Sequence, residues 1–291
     1  MATLVLKVNF EVKHEYLHMD GEGLLRLWYS EAMAERYYRQ PGPEQRFYTI
    51  VWNRGPQQLV WLDEIPYALP ENALLPIMMS QSYRFDNPAQ IVAWQFNREF
   101  YCVLNHDAEV GCIGFVFYGP QPAMVVQLEG AERQAMEQLL LMFKEEFEAG
   151  EDIKGEMLRM LLVRLIIKLT RLAKKQYLTE AQQQDSRFTV YRQYHVLVEQ
   201  HYKQQHQVQF YAGLLHKSPK TLSNMFALYG KKTPLQVIQE RIVTEAKRLF
   251  YYTDKSVKEI AEELGFEEPS HFSRFIKAQT ALSPGQLKRK G

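Results

Sequence analysis

The chain has 291 residues, of which 46% are apolar and 24% charged, and its formal net charge is +1. This length excludes a single small domain, and the composition is ordinary for a soluble globular protein. Residues 187–291 hold 17 Lys and Arg against 9 Asp and Glu, whereas residues 1–186 hold 18 against 25. A charge of +8 beside one of −7 predicts that only the C-terminal third meets a polyanion, with a solvated basic surface as the alternative.

Residues 1–130 are predicted to be rich in β-strands. Short alternating runs of Val, Ile, Phe, Tyr and Trp are separated by turn signals such as NRGP and DNP. The predicted strands are TLVLKVNFEV from Thr3, FYTIVW from Phe47, QLVWL from Gln58, IVAWQF from Ile91, FYCVLNH from Phe100 and GCIGFVFYG from Gly111. Such strands predict a sandwich or barrel, and a helical piece is expected near Gly23 to Arg36.

Two long helices are predicted in the segment 131–176. Apolar residues recur at spacings of three and four from Met136 to Phe147, and a second helix runs from about Ile153 to Gln176. Cations interrupt the second helix at Arg159, Arg164, Lys168 and Arg171. These charges exclude a comfortable membrane span. A helix that is apolar around much of its circumference must bury two faces, so the segment is predicted to form a dimer, with packing inside one chain as the alternative.

A polar, Gln-rich stretch, residues 177–187, is predicted to link these helices to a last domain, residues 188–291. Within that domain SPKTLSNMF begins at Ser218 and EPSHFSRFI begins at Glu268. Pro219, Ser223 and Pro234 recur 50 residues later as Pro269, Ser273 and Pro284. Self-similarity of this kind indicates a repeated unit, here a helix-turn-helix whose second helix can enter the DNA major groove.

The first predicted recognition helix covers residues 218–229. Ser218 followed by Pro219 is a strong start signal, and Leu222, Met225 and Phe226 form the inner face. Side chains of the types that read bases or hold phosphate lie outside it: Lys217, Ser218, Lys220, Thr221 and Asn224. For Asn224 a local cap or a solvent contact is the alternative.

The second predicted recognition helix covers residues 269–279. A capping box at Ser256 and Glu259 starts the helix before it, and Gly265 suits the turn. Its predicted DNA contacts are Ser270, His271, Arg274 and Lys277. Arg274 is the best candidate for a bidentate guanine contact, with a phosphate contact as the alternative. Ser283-Pro284 is predicted to start a last short helix, in which Lys288 would hold the DNA backbone.

A connecting helix should set the spacing of the two recognition helices. Thr233-Pro234 opens it, and an apolar stripe continues to Leu249. Residues 234–251 would span about 27 Å at about 1.5 Å per residue. A rigid connector of that length can hold two recognition helices near one DNA turn apart, about 34 Å.

Residues 190–290 resemble the DNA-binding domain of the AraC/XylS family of bacterial transcription regulators. The resemblance is carried by LSNMF at 222–226, TP at 233–234, ERIVTEAKRLFYYTDKSVKEIAEELGF from Glu240 and SHFSRF at 270–275. The family has Arg where this chain has Asn224, and Gly near Lys231 and Ala281. The order of a β-rich part, two helices and a reader also resembles ligand-sensing members whose N-terminal domain is a cupin barrel.

The resemblance implies a multidomain α+β protein: a cupin-like β-barrel or sandwich at 1–130 for sensing, two following helices, and an all-α double helix-turn-helix domain. It implies a sequence-specific regulator of transcription that binds double-stranded promoter DNA, forms a homodimer and works in the bacterial cytoplasm. A small-molecule effector and a contact with RNA polymerase are possible partners. Activator and repressor roles stay open.

The N-terminal part offers little for chemistry. His14, His18, His106, Asp107 and Glu109 lack the spacing of a metal cupin, so no metal, cofactor or catalytic residue is predicted. Trp52, Trp61 and Trp94 could line a ligand-binding barrel mouth, although core packing is the alternative. A cupin-type enzyme that carries a DNA-binding domain is the second functional hypothesis, and a stoichiometric metal in the purified protein would support it.

The cysteine content and the N-terminus bear on location. Cys102 and Cys112 fit no metal-binding spacing, and two cysteines in a chain of this size suggest a reducing compartment. A cross-strand pair between them is geometrically possible. The N-terminal MATLVLKVNF has too short an apolar run for a signal peptide. Both features favour a cytoplasmic protein.

Overall fold

The computed structural model describes residues 14–17, 22–29, 47–63, 65–79, 81–103, 113–117, 123–150, 153–180, 185–229 and 232–290. The chain forms two compact units. The first comprises residues 1–37, 46–103 and 123–172, and the second comprises residues 38–45, 104–122 and 173–291. Among the described residues, no helix is long and apolar enough to cross a membrane.

The first unit is rich in β-strands, as predicted. Its described strands are β1 His14–Leu17, β2 Leu24–Trp28, β3 Tyr48–Asn53, β4 Gln58–Leu62, β5 Ile65–Leu69, β6 Ala73–Ile77, β7 Tyr83–Phe85, β8 Ile91–Phe96 and β9 Val126–Gln127. They form a six-stranded sheet in the order β1-β2-β8-β3-β6-β9 and a three-stranded sheet in the order β5-β4-β7. The paired strands are antiparallel, β3 with β8 and β4 with β5 among them.

The larger sheet is buried on both faces. Val51 lies opposite Ala93, and both belong to the apolar cluster that also contains Val60 of the smaller sheet. The next residue, Trp94, points to the other face, where its ring lies 5.8 Å from that of Phe143. Because side chains alternate along a strand, burial of both faces explains why β8 is a continuous apolar run.

Two long helices follow the strands, α2 at Gly130–Glu148 and α3 at Lys154–Tyr177. A capping box between Glu129 and Glu132 starts α2. The buried residues of α2 have the predicted spacing: Met136, Leu139, Leu140, Phe143 and Phe147. The two-helix prediction for this segment is therefore confirmed, apart from residues 151–152, which lie outside the described part.

The structure corrects three local predictions in the N-terminal part. The helical piece expected at Gly23 to Arg36 contains β2, in which fully buried Leu25 and Leu27 alternate with half-buried neighbours. The run from Gly111, expected as a strand, contains a short helix, α1, at Ile113–Phe117. A short apolar run without alternation suits either a buried strand or a buried helix, which explains this error.

The third correction concerns FYCVLNH, expected as a strand. Residues 98–100 form a turn, and residues 101–103 are not in a strand. The remaining residues of that run, and the run from Thr3, lie outside the described residues. So do residues 30–36 of the expected helical piece.

The described part of the second unit is helical. Besides α1, its helices are α4 Ser186–His201, α5 Val208–Leu214, α6 Pro219–Tyr229, α7 Pro234–Tyr252, α8 Val257–Glu263, α9 Pro269–Thr280 and α10 Pro284–Lys290. The predicted helix starts at Pro219, Pro234, Pro269 and Pro284 are all confirmed. Proline suits the first helical turn because its missing N–H would have no partner there.

An aromatic core holds the first half of the second unit together. The ring of Tyr194 on α4 lies 5.3 Å from Tyr211 on α5 and 5.0 Å from Phe226 on α6. All three side chains are almost completely buried. The hydroxyl of Tyr194 donates a hydrogen bond to the carbonyl of Pro234 at 3.0 Å, which satisfies its polar atom inside the core.

A buried group of charged side chains joins α4 to α7. Arg241 donates to Glu199 at 2.5 and 3.1 Å and to Glu245 at 3.2 Å. Arg248 donates to the other oxygen of Glu245 at 2.6 Å. Burial alone would raise the pKa of Glu245, but the charge of Arg241 and the bonds from Arg248 lower it to about 2. Glu245 is therefore ionised, and its charge is matched within hydrogen-bonding distance.

Candidate nucleic-acid interface

The two short helices of the repeat end in the same hydrogen-bonded turn. After α5, the amide of Lys217 donates to Ala212 at 2.9 Å, and that of His216 donates to Gly213 at 3.0 Å. After α8, the amide of Phe266 donates to the carbonyl of Ala261 at 2.9 Å, and that of Gly265 donates to the carbonyl of Glu262 at 3.0 Å. This is the Schellman arrangement, and it fixes the direction in which the chain leaves each helix.

The residue that reverses the chain differs between the turns. It is His216 with φ +51° in the first and Gly265 with φ +72° in the second. A β-carbon on Gly265 would lie 2.1 Å from the carbonyl oxygen of Lys203. Glycine is therefore required at the second turn by backbone conformation and by space, whereas the first turn accommodates a side chain.

The repeat changes its offset at the turn. Ala212 and Ala261 are 49 residues apart, whereas Pro219 and Pro269 are 50 apart. The second helix-turn-helix therefore has one more residue than the first between its turn and its second helix. One consequence is the cap: Ser218 accepts a hydrogen bond from the amide of Thr221 at 3.1 Å, whereas α9 starts without a side-chain cap.

The structure places the predicted residues of α6 on its outer side. Lys217, Ser218, Lys220 and Asn224 are exposed, and Thr221 is half-buried. The hydroxyls of Ser218 and Thr221 lie 2.8 Å apart, so both also serve the cap. Lys220 and Asn224 are thus the side chains of this helix best placed to meet a ligand.

The second predicted recognition helix, α9, has a more cationic outer face than α6. Ser270, His271, Arg274 and Lys277 are all exposed. His271, Arg274 and Lys277 follow one another at spacings of three residues, which places them along one side of the helix. On the opposite side Phe272 and Ile276 are fully buried. Arg274 and Lys277 stand on the outer face, where a guanidinium and an ammonium can donate to base edges or phosphates.

Lys288 has protein partners in this structure. Its ammonium donates to the carbonyls of Lys255 at 3.0 Å and Asp254 at 3.4 Å. These carbonyls follow the C-terminus of α7, so Lys288 ties α10 to the entry of the second helix-turn-helix. A phosphate contact by Lys288 would have to form beside these bonds or replace them. The side chains of residues 289 and 290 lie outside the described part.

The connecting helix α7 has the predicted extent to within one residue. Thr233 accepts from the amide of Gln236 at 3.2 Å, and Gln236 accepts from the amide of Thr233 at 2.7 Å. Its buried stripe consists of Ile238, Ile242, Ala246 and Leu249, each at most 1% exposed. A reciprocal cap and a continuous buried stripe make α7 a stiff support for both halves.

Sequence reasoning missed the role of Asp185, which it assigned to the linker. Asp185 caps α4 by accepting from the amide of Arg187 at 2.8 Å. Its carboxylate also accepts a hydrogen bond from the hydroxyl of Tyr229, the last residue of α6. The bonds from Arg187 and then from Tyr229 hold the pKa of Asp185 below its ordinary value. An Asp just before an apolar periodic run is a cap signal that could have been recognised.

The three tryptophans considered as ligand contacts, Trp52, Trp61 and Trp94, do not lie between the sheets. Trp52 and Trp94 share the face that packs against Phe143 of α2. The half-buried Trp61 lies under the guanidinium of Arg84, 3.6 Å from its ring centre. Both partners belong to the smaller sheet and lie on the face away from the inter-sheet cluster. All three tryptophans thus pack on outer faces of the two-sheet core.

A polar group lies between the sheets instead. The side-chain oxygen of Gln95 accepts from the indole of Trp28 at 2.6 Å, and its nitrogen donates to the hydroxyl of Tyr83 at 2.8 Å. Trp28 and Tyr83 also belong to the apolar inter-sheet cluster. Among the described residues, no group of three or more His, Cys, Asp or Glu could hold a metal ion. His14, within the described part, stacks on Phe147 at 5.2 Å.

Several candidate residues of the N-terminal part lie outside the described residues. These are His18, His106, Asp107, Glu109 and Cys112. The side chain of Cys102 is half-buried. A pairing of the two cysteines therefore stays a prediction.

The fold and the exposed helical faces define a double helix-turn-helix domain that follows a β-rich unit. Residues 211–290 match the model of the helix-turn-helix domain family. Residues 211–290 of this chain are therefore a helix-turn-helix domain, in the region where the sequence motifs predicted one.

Relatives match the same region. Over 92 residues the chain is 29% identical to the uncharacterized HTH-type transcriptional regulator YisR of Bacillus subtilis (strain 168), which covers 32% of each chain. Over 79 residues it is 33% identical to the HTH-type transcriptional regulator GlxA of Rhizobium meliloti (strain 1021), covering 27% of this chain and 24% of that relative. The chain thus spans about a third or less of the length of these curated relatives.

Solved structures show similarity of two extents. The C-terminal domain of the response regulator yesN from Fusobacterium nucleatum is 25% identical, covers 33% of this chain and 94% of its own, and gives a TM-score of 0.32. Apo ToxT from Vibrio cholerae is 12% identical, covers 92% of this chain and 97% of its own, and gives a TM-score of 0.41. The assignment of the C-terminal domain rests on the sequence match.

Proposed function

We propose that this chain is a transcription regulator that binds specific double-stranded DNA through α6 and α9. The observation that carries the proposal is the pair of turns with the same hydrogen-bond pattern, each of which presents a helix with an apolar inner face and a polar outer face. Helices presented in this way by a helix-turn-helix enter the major groove of DNA. The relatives named above are themselves described as transcriptional regulators.

The recognition residues divide into two groups by chemistry. Asn224 and Arg274 occupy equivalent places, 50 residues apart, on the outer faces of their helices. Asn pairs well with adenine and Arg with guanine, so these two side chains supply most of the base discrimination. Lys217, Lys220 and Lys277 supply charge to the phosphates, together with Ser218, Thr221, Ser270, His271 and Lys288. The +8 charge of residues 187–291 supports this assignment.

The helical segment 131–176 is proposed to hold two copies of the chain together. Ile153, Met157 and Met160 follow one another at spacings of four and three and are 58%, 39% and 66% exposed. Leu141 and Met142 of α2 are also exposed. Apolar side chains in one stripe on a helix surface favour a symmetric contact with the same stripe of a second copy. A homodimer would bring four recognition helices to one DNA site.

The first unit is proposed to be a cupin-like sensing domain. Its support is the Gln95 group, a set of polar atoms enclosed by two apolar sheets, which is the composition of a small-molecule site. In this proposal residues 1–130 hold the effector, residues 177–187 link the parts, and residues 188–291 bind the promoter in the bacterial cytoplasm. Contact with RNA polymerase would then couple DNA binding to transcription.

Selection of bound sequences from random double-stranded DNA tests the function directly. We expect the purified full-length protein, at about physiological salt, to enrich a site with two blocks about one helical turn apart, roughly 34 Å. A matched selection with the double variant Asn224→Ala, Arg274→Ala should enrich neither block. Equal recovery of all sequences by the wild-type protein would contradict the proposal.

A further inference from the structure

The short helix α1 belongs to the DNA-reading unit, although its sequence lies between segments of the β-rich unit. The chain leaves the first unit after Val103 and returns to it at Ala123. The residues between, 104–122, are part of the second unit, and residues 113–117 are their described portion. A stretch inserted between β8 and β9 in the sequence therefore takes part in the packing of a different unit.

An aromatic contact docks α1 on α4. Phe115 is 1% exposed, and its ring lies 5.7 Å from the ring of Phe188 in an edge-to-face arrangement. Phe188 is itself 6% exposed. Edge-to-face pairs of buried rings stabilise beyond the burial of their area, so this contact contributes to the position of α4.

Phe188 also packs against the end of the first recognition helix, α6. Its ring lies 5.3 Å from that of Tyr229, the last residue of α6, also edge to face. Tyr229 is held from a second direction, because its hydroxyl donates to the carboxylate of Asp185 at the start of α4. A continuous line of contacts thus runs from Phe115 through Phe188 to Tyr229.

The second recognition helix has different supports. The ring of Phe272 on α9 lies 6.0 Å from Phe250 of α7 and 5.1 Å from Phe266. Within the described residues, these contacts do not involve Phe115 or Phe188. A substitution in α1 therefore affects the first recognition helix, α6, through a direct line of packed rings. It can affect the second recognition helix, α9, only through the rest of the domain.

We propose that residues 113–117 are an intramolecular partner of the first helix-turn-helix, docked on α4 so that they hold the C-terminal end of α6 in place. Residues 113–117 would then control the position of the first recognition helix, α6, and leave that of the second, α9, unchanged. The consequence for DNA rests on the proposed function, whereas the docking itself does not.

Amide hydrogen exchange of the full-length protein without DNA tests the docking. In Phe115→Ala we expect exchange of the amides of residues 219–229 to accelerate about tenfold or more, because local opening loses a buried ring contact. Residues 269–280 should exchange as in the wild type. The milder Phe115→Leu, which keeps apolar volume, should give a smaller increase in the same residues. Phe275→Ala, which loses the contact with Phe266 at 5.4 Å, is the mirrored control and should accelerate residues 269–280.

Unchanged exchange in residues 219–229, or equal acceleration in both recognition helices, would overturn the proposal. DNA footprinting of the same variants then separates the two levels. Faster exchange in α6 with weaker protection of only one DNA block supports the proposal and the function together. Faster exchange in α6 with an unaltered footprint leaves the docking intact and contradicts the role of α6 in DNA reading.

Discussion

Gly265 lies directly against the backbone of Lys203. A β-carbon at Gly265 would approach the carbonyl oxygen of Lys203 to 2.1 Å, and the residue has φ +72°. Lys203 follows α4, so this close approach joins the end of the first aromatic core to the second helix-turn-helix. The ring of Phe266 continues the junction by packing 4.7 Å from that of His206.

We expect Gly265→Ala to lower the free energy of unfolding by about 2 kcal/mol or more. The left-handed backbone costs an L-residue about 1 kcal/mol, and the close carbonyl requires a backbone shift as well. Urea denaturation followed by circular dichroism measures the change. His216→Ala is the matched control, because His216 already has φ +51° with a side chain, and it should change stability by less than about 1 kcal/mol. Equal losses in both variants would show that space at Gly265 is not the cause.

Ala281→Gly should stabilise the protein. Ala281 ends α9 with φ +59°, a conformation that glycine adopts without steric cost. The expected gain in the free energy of unfolding is about 0.5–1 kcal/mol. Ala278→Gly, in the interior of the same helix, should instead destabilise by about 1 kcal/mol. The same urea experiment compares the two, and a loss in Ala281→Gly would refute the cap assignment.

Protonation of Glu245 should destabilise the protein in acid. The folded pKa of Glu245 is about 2 against an ordinary value of 4.5, so its ionised form is favoured by folding. The contribution is fully present above pH 4.5, the unfolded value, and is lost as the pH falls towards the folded value. It amounts to about 3 kcal/mol at neutral pH. Urea midpoints measured from about pH 7 down to about pH 3 should therefore fall with pH.

Glu245→Gln tests whether this carboxylate is the cause. The variant should be less stable by about 3 kcal/mol at neutral pH, because Arg241 loses a buried charge partner. It should also lose less stability on acidification than the wild type. The exposed Glu262→Gln is the control and should follow the wild-type curve. A variant that keeps the full wild-type pH dependence would assign the effect to other groups.

Arg274→Ala should weaken binding to the selected DNA site about tenfold or more, while binding to random DNA falls much less. A bidentate contact to guanine contributes about 1–3 kcal/mol of discrimination. Fluorescence anisotropy with both DNAs measures the ratio. Equal weakening on both would reassign Arg274 to phosphate.

Lys288→Ala should weaken binding to specific and random DNA alike and reduce the salt dependence by about one counterion. Its ammonium also holds the carbonyls of Lys255 and Asp254. Lys288→Arg keeps the charge and should retain the salt dependence. Anisotropy titrations at several salt concentrations give the slope, and an unaltered slope in Lys288→Ala would leave this side chain with a structural role alone.

Met160→Glu should shift the protein from dimer to monomer. Met160 is 66% exposed at the C-terminal end of the stripe formed by Ile153, Met157 and Met160, and a charge there would be desolvated in a dimer contact. Sedimentation velocity at micromolar concentration measures the state. Lys175→Glu, an exposed change near the end of the same helix, should remain dimeric. A wild-type monomer would remove the proposed dimer, and a dimeric Met160→Glu would place the contact elsewhere.

Some strands escaped sequence reasoning for identifiable reasons. β5 contains Pro66, and β6 contains Pro76, which pairs with Ile50 in the middle of the larger sheet. Proline and alanine have low strand preference, so these segments gave no strand signal. Their partners in the sheet hold them extended. The sequence suggests Trp94 as a ligand contact, but its surroundings depend on which face of β8 is covered by α2.

The sequence by itself determined the helix-turn-helix repeat, its helix starts and its inner and outer faces. Ser218, Thr233 and Ser256 are caps whose bonds lie within three residues, and the apolar spacing of Leu222 and Phe226 is local too. Only the tertiary structure decided that Phe115 packs with Phe188, that Asp185 holds Tyr229, and that Gly265 touches Lys203. Those contacts join residues 44 or more positions apart, and no local pattern records which distant surface a side chain will meet.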